Sequence, residues 1–352
     1  YVWLGPNVAP VTGEKAVEYD NPRLWWGVKD IEDIIRLRSS MVFSRFKVKV
    51  TKARAPSQRL LDSTRELALS IKPVDGEYLF DKPPRPSIRF DGILSPIGPK
   101  ANLVDLRVVE NPVVPRRVDM LVEDYDINAR DAVVELYTHG IDYYHIVRVF
   151  SLGLLGLKYQ RRLVPTRWSI TAVDSILGDQ LLEEVKKYDS INDVELYYTE
   201  YMGNRYAILM VPGKWAFEMI EIWLPRSVWV KAEKAYFTVN YELYDGKWRK
   251  PGVDGGYHAI RFPVLEYLSR RRRQALVIAI REVTPQYYAP VGSWQIRESI
   301  RNALKSKPLK FNTVLDALKN ACKKIETPLK DILKESYLIK ILLYQKKITE
   351  FL

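Results

Sequence analysis

The chain has 352 residues, 47% of them apolar, with 55 Lys and Arg against 43 Asp and Glu for a net charge of +12. That apolar fraction excludes intrinsic disorder, and the length suits about two domains with cores of their own. A single Cys excludes an intrachain disulfide framework and a thiolate zinc cluster within the chain, and the longest apolar runs fall far short of the roughly 18 residues of a membrane span.

The opening YVWLGPNVAP carries no initiator Met, basic head or apolar signal region. A soluble cytoplasmic protein, seen as a fragment or a processed form, is the expectation. Residues 30–42 (DIEDIIRLRSSMV) place Ile31, Ile34, Ile35 and Leu37 at helical spacing with Asp30 as a cap, and 57–71 read as a second helix capped by Ser57. The prolines of KPPRPS (82–87) and SPIGPK (95–100) make both stretches connections. Val118–Glu123 is β-rich and reads as a buried strand, Asn128–Thr138 as a helix stopped at His139-Gly140, and Tyr143–Phe150 as a strand.

Val194–Tyr201 and Tyr206–Val211 read as two strands of a hairpin joined by Met202-Gly203-Asn204-Arg205. Trp215–Leu224 then turns helical, and Tyr236–Tyr244 alternates as a strand up to the Asp245-Gly246 turn. Gly256–Leu268 reads as helix, Ala275–Ile280 as strand, Gln295–Leu304 as helix, and Thr313–Tyr344 as a Lys-rich helical tail. Strands and helices alternate without a regular βαβ rhythm, which predicts a mixed α/β (α+β) fold: a central mixed sheet, packed helices and a basic helical C-terminal region.

The charge is uneven. Asp245–Lys310 holds 14 Lys or Arg against 5 Asp or Glu, and so supplies nine of the twelve net positive charges. At its centre stand Arg270, Arg271, Arg272 and Arg273, which cannot all lie in a dry core. With Arg281, Arg297, Arg301, Lys305, Lys307 and Lys310 they predict contacts to a DNA phosphate backbone; the plainer alternative is a solvated helix end.

A second polar constellation is RRLVPTRWS (161–169). Arg161, Arg162 and Arg167 would hold phosphate, Thr166 and Ser169 would add hydroxyls, and Trp168 would stack a base, making this a nucleotide pocket. A helix starting here would aim backbone amides at the same anion. The alternative is that Trp168 is core and the arginines pair with nearby acids. No HExxH, CxxC, Walker, GxGxxG or GxSxG pattern occurs, and SLGLLGLK (151–158) reads as a packed helix–loop junction. Asp174, Glu218 and His258 are the candidates for a catalytic base, with Glu218 and Glu221 expected on one helix face. Asp119, Glu123, Asp124 and Asp126 cluster in sequence; such acids hold Mg²⁺ in nucleases but are more often solvated, and no metal ligands are assigned.

The last eight residues, QKKITEFL, follow the spacing Gln, aliphatic, then two apolar or aromatic residues. Ile348, Phe351 and Leu352 would share one face of a helical turn beside the amide of Gln345. This is similar to the peptide with which replication and repair proteins dock on the sliding clamp PCNA, although Leu352 stands where an aromatic is usual.

Beyond these features, the chain resembles the archaeal NreA family of DNA repair proteins. The resemblance rests on RLLDSTRELALSIKPV (59–74), PRRVDMLV (115–122), SLGLLGLKYQRRLVPTRWSITAVD (151–174), GNRYAILMVPGKWAFE (203–218), GGYHAIR (255–261), RRQALVIAIREVTPQYYAPV (272–291), WQIR (294–297) and the C-terminal peptide. It implies an Nre N-terminal-type α/β domain over 1–240, a basic Nre C-terminal-type domain over 241–344 and a clamp peptide over 345–352. It also implies a DNA repair role in the archaeal cytoplasm, at the nucleoid, with PCNA and DNA as partners and no membrane. Many members carry a zinc-binding segment upstream of the region matched here; no zinc is predicted in this chain. The competing reading is a nuclease or nucleotide hydrolase, which would use Mg²⁺ or Mn²⁺ and the pocket around 161–174.

Overall fold

The computed structural model describes residues 1–55, 58–87, 96–227, 230, 233–250 and 254–344. The fold is α+β, with two mixed sheets. The backbone falls into two compact units, Tyr1–Leu177 and Gly178–Leu352, divided within the helix α7 (Thr166–Val185).

The first unit holds a five-stranded sheet of β1 (Val2–Leu4), β2 (Asn7–Val8), β3 (Val42–Val48), β4 (Gly76–Phe80) and β5 (Lys100–Val108). The order is β1-β3-β5-β4, with β2 also on β3 and only β3 and β5 parallel. Phe46, Val48, Leu103 and Leu106 point to one face, where Leu61 and its neighbours on α3 (Arg59–Leu69) cover them. Around this sheet lie α1 (Pro22–Trp25), α2 (Ile31–Ser40), α4 (Arg116–Glu123), α5 (Ala129–Thr138) and α6 (Tyr143–Ser151). Asp30 caps α2, as its position predicts, and Asp33 completes a capping box with it. Ser57, the expected cap of α3, lies outside the described residues.

Two segments expected as strands are helices. Val118–Glu123 lies in α4 because Val118, Leu121 and Val122 are spaced three and four apart and all face inward. Tyr143–Phe150 lies in α6, whose start is fixed by Asp142 accepting hydrogen bonds from the Tyr144 (2.8 Å) and His145 (3.3 Å) amides. A good cap and burial outweigh the β propensity of YYHIVRVF.

The second unit is a three-layer sandwich. Its sheet runs β10-β9-β8-β11-β7-β6-β12, built from β6 (Val194–Tyr201), β7 (Asn204–Val211), β8 (Ala216–Trp223), β9 (Tyr236–Glu242), β10 (Trp248–Arg249), β11 (Leu276–Val283) and β12 (Leu309–Phe311). Only the central pair β8 and β11 is parallel. The β6–β7 hairpin forms as predicted, through Met202 (φ 50°) and Gly203 (φ 67°). A Cβ on Gly203 would lie 2.6 Å from the Tyr287 amide nitrogen, so this turn position requires glycine twice over.

Alternation along the strands feeds two cores. Tyr206, Ile208 and Met210 face α8 (Asp254–Arg271) and α9 (Trp294–Ala303); Ala207, Leu209 and Val211 face α10 (Val314–Ala321), α11 (Leu329–Glu335) and α12 (Leu338–Tyr344). The segment Trp215–Leu224, expected as helix, is the central strand β8. It is buried on both faces, so it reads as a nearly continuous apolar run, and its two glutamates imitate a helical polar stripe.

Candidate functional site

The constellation at 161–169 divides by burial. Arg161 is 6% exposed. Its guanidinium donates to the carbonyls of Gly156 (2.7 Å), Val122 (2.9 Å) and Asp124 (2.8 Å), tying the end of α4 to the Gly-rich junction. This is a structural clamp on backbone carbonyls, with Tyr125 stacked 4.7 Å away. Ser169 is buried, its hydroxyl 3.4 Å from the Val164 and Pro165 carbonyls. Arg162, Thr166, Arg167 and Trp168 remain exposed at the start of α7, with the Arg167 guanidinium 6.0 Å from the centre of the Trp168 ring.

The three candidate bases lie on three different elements. Asp174 is buried on α7. Half-buried His258 sits on α8, its ring edge-on to Trp248 (5.4 Å) and Tyr257 (5.3 Å). Glu218 is fully buried on β8, where it serves the C-terminal helices. Its carboxylate accepts from the Tyr337 amide (2.6 Å), the Leu338 amide (3.2 Å) and the Ser336 hydroxyl, so it caps the start of α12 from the sheet. Burial pushes its pKa up, opposed by those donors.

Glu221 does not share a face with Glu218, because three residues along a strand point opposite ways. It pairs instead with Arg281, directly across the parallel β8–β11 register. In the acidic cluster, Asp119 and Glu123 are exposed on α4, while Asp124 accepts from the Asp126 (2.9 Å) and Ile127 (3.1 Å) amides and closes a turn. Among the described residues, no group of three or more His, Cys, Asp or Glu is placed to hold a metal ion.

The arginine run ends α8. Arg272 takes a left-handed conformation (φ 52°), and the Arg273 and Arg272 amides close the helix onto the Leu268 (3.1 Å) and Ser269 (3.0 Å) carbonyls. Arg271 turns back onto β6 and grips Glu195 with two hydrogen bonds, of 2.6 and 3.1 Å. These bonds raise its pKa and keep it charged. Arg270, Arg272 and Arg273 stay exposed. The expected basic flanks also divide: Arg281 and Arg297 are interior, and Arg301 pairs with Glu266 and Glu298, whereas Lys305, Lys307 and Lys310 are at the surface. The residues expected to bind the clamp, Gln345, Ile348, Phe351 and Leu352, lie outside the described residues.

Sequence reasoning overlooked an alternation in the first unit. Between Val42 and Arg54 the chain carries Arg45, Lys47, Lys49, Lys52 and Arg54 and no acid. The first three occur at every second residue, a period that places them on one sheet face.

The architecture is thus an α+β protein of two mixed-sheet units, with exposed cations at a helix end and along β3 of the first sheet. Residues 1–230 match the archaeal Nre N-terminal family and 242–351 the archaeal Nre C-terminal family. DNA repair protein NreA of Archaeoglobus fulgidus is 39% identical over 325 residues, covering 92% of this chain and 81% of its own. DNA repair protein NreA of Haloferax volcanii is 39% identical over 332 residues (92% and 78%), and DNA repair protein NreB of A. fulgidus 34% over 318 (90% and 79%). No solved structure matches the chain. The chain belongs to the archaeal Nre family.

Proposed function

We propose that this protein acts in DNA repair at the archaeal nucleoid, as a DNA-binding factor tethered to the sliding clamp by residues 345–352. The observation that carries the reading is its extended similarity to proteins named for DNA repair. The exposed Arg270, Arg272 and Arg273 support the DNA contact, since solvent-facing cations gathered at a helix end suit phosphates. The clamp peptide follows α12 in sequence, and tethering there would raise the local concentration at DNA without a further contact. The hydrolytic alternative gains nothing from Glu218, whose carboxylate is engaged by three internal donors.

The test is binding and cleavage of single-stranded, duplex, nicked and flapped DNA, with and without Mg²⁺ or Mn²⁺ and purified clamp. Binding without cleavage, with clamp affinity lost on deleting Gln345–Leu352, supports the reading. Metal-dependent cleavage would replace it with a nuclease, and unchanged clamp affinity in the deletion would remove the tether.

A further inference from the structure

One face of the first unit's sheet is covered by α3; on the other, among the described residues, Trp3, Lys47, Lys49 and Val104 are exposed, and we refer to it as the open face. On the open face, β1 and β3 pair with Trp3 opposite Lys47 and Val2 opposite Val48, which brings Tyr1 level with Lys49. Tyr1 is 71% exposed and Trp3 50%. The Arg45 guanidinium lies 4.3 Å from the centre of the Trp3 ring, and the Lys47 and Lys49 ammonium groups lie 5.1 and 5.7 Å from the centre of the Tyr1 ring. Cations and aromatic rings therefore interleave diagonally across the strand pair.

We infer that this open face is a stacking platform for single-stranded DNA, a contact separate from the arginines at the end of α8. Burying Tyr1 and Trp3 against an apolar protein surface would strand Arg45, Lys47 and Lys49 without counter-charges, whereas a polynucleotide supplies phosphates beside every base. No carboxylate occurs on β1 or β3 to neutralise them. Exposed ring faces are of use only to unpaired bases, because a duplex hides its own. Trp3 on β1 and Tyr1 just before it are two residues apart, about 7 Å for extended chain, which suits successive splayed bases. Neighbouring β5 extends the face with exposed Val104. The choice of DNA over RNA rests on the repair reading; the stacking surface does not.

The test is fluorescence anisotropy of the full 352-residue chain with labelled short oligodeoxythymidine, oligouridine and blunt duplex DNA. Trp3→Ala is expected to weaken oligodeoxythymidine binding about tenfold or more, while Trp3→Phe retains it. Lys47→Gln with Lys49→Gln is expected to lower the salt slope of that binding by about 1.4. Duplex affinity should not move in any of these variants. Running Trp3→Ala also in an Arg270→Gln, Arg272→Gln, Arg273→Gln background separates the two contacts, because the Trp3 effect must persist there whatever those arginines do. No oligodeoxythymidine binding by the unaltered protein, an unchanged affinity in a folded Trp3→Ala variant, or preference for oligouridine would each overturn the proposal.

Discussion

Arg271 and Glu195 form a two-pronged ion pair, at 2.6 and 3.1 Å, within a run of four arginines at the surface. Glu195 is 2% exposed and also accepts from the Tyr197 hydroxyl at 2.7 Å. Removing Arg271 leaves that carboxylate buried with only the tyrosine. Arg271→Ala should therefore destabilise the second unit by about 2 kcal/mol, reduced from the cost of breaking a fully buried pair because Arg271 is itself a third exposed. DNA affinity should scarcely change. A denaturant melt paired with a DNA titration checks this; lost affinity at full stability would mean that Arg271 reaches phosphate after all.

Its neighbours should behave in the opposite way. Replacing Arg270, Arg272 and Arg273 by Gln is expected to leave the melt unchanged and to lower the salt slope of duplex binding by about 0.9 for each phosphate no longer neutralised. Arg272 allows a sharper version. It occupies a left-handed helix-terminal position where glycine is the usual residue. Arg272→Gly should thus raise stability by about 1 kcal/mol while weakening DNA binding. Stability and affinity moving together would show that the residue is there for the fold.

Glu218 is the clearest case of a carboxylate whose role is architectural. Glu218→Ala leaves the Ser336 hydroxyl and the Tyr337 and Leu338 amides without their acceptor at the start of α12. At roughly 1–3 kcal/mol for each buried group left unsatisfied, a loss of about 3 kcal/mol is expected after relaxation. Hydrogen exchange should accelerate through α11 and α12 first. Loss of a DNA-directed activity with exchange unchanged would instead mark Glu218 as chemical.

What was legible in the sequence follows from the range of the interactions involved. The Asp30 cap of α2, the 194–211 hairpin and the stop at His139-Gly140 depend on residues a few positions apart, and all three form. Tyr143–Phe150 and Trp215–Leu224 were ambiguous because each is buried along most of its length, and Val118–Glu123 because six residues are too few for periodicity to separate a strand from a helix. At the site level, Arg161 and Arg162 are chemically identical neighbours. Only the carbonyls of Val122, Asp124 and Gly156, brought in by the fold, make one a clamp and leave the other exposed. The basic stretch after Asp245 divides for the same reason, since the partners Glu221 and Glu266 of Arg281 and Arg301 lie 60 and 35 residues away.

Gly178 stands in the middle of α7, where glycine ordinarily costs about 1 kcal/mol relative to alanine. Its reason is Arg261: a Cβ at 178 would lie 2.6 Å from the arginine Nη1. Arg261 is almost fully buried and cannot swing aside, because its Nε donates to Glu242 (2.9 Å) and its Nη1 lies 3.0 Å from Asp179. Glu242 also accepts from Trp215 (2.7 Å) and Tyr257 (3.0 Å), so the whole knot would shift. Gly178→Ala should accordingly destabilise by about 1–3 kcal/mol despite the better helix propensity. In an Arg261→Met background the penalty should shrink or reverse, which a double-mutant cycle reads directly; a stabilising Gly178→Ala in the unaltered protein would refute the crowding argument.

His145, on α6, gives the fold of the first unit a defined acid sensitivity. It is 2% exposed, and burial, reinforced by the Arg148 cation and opposed by Asp142, lowers its pKa to about 4. Arg148 can only donate, so Nδ1 accepts from it (3.4 Å) and the imidazole proton sits on Nε2, which has no hydrogen-bond partner among the described residues. The unfolded chain would titrate this group near 6.5, so below that pH the unfolded state binds the extra proton first. The stabilising contribution is complete above about pH 6.5 and drains away as the pH falls toward 4, by at most about 3 kcal/mol. His145→Phe removes both the titrating group and the unpaired N–H, so it should flatten stability between pH 4 and 6.5 and raise it at pH 5. Melting curves across that window for the two proteins decide the matter: parallel acid slopes would place the sensitivity elsewhere.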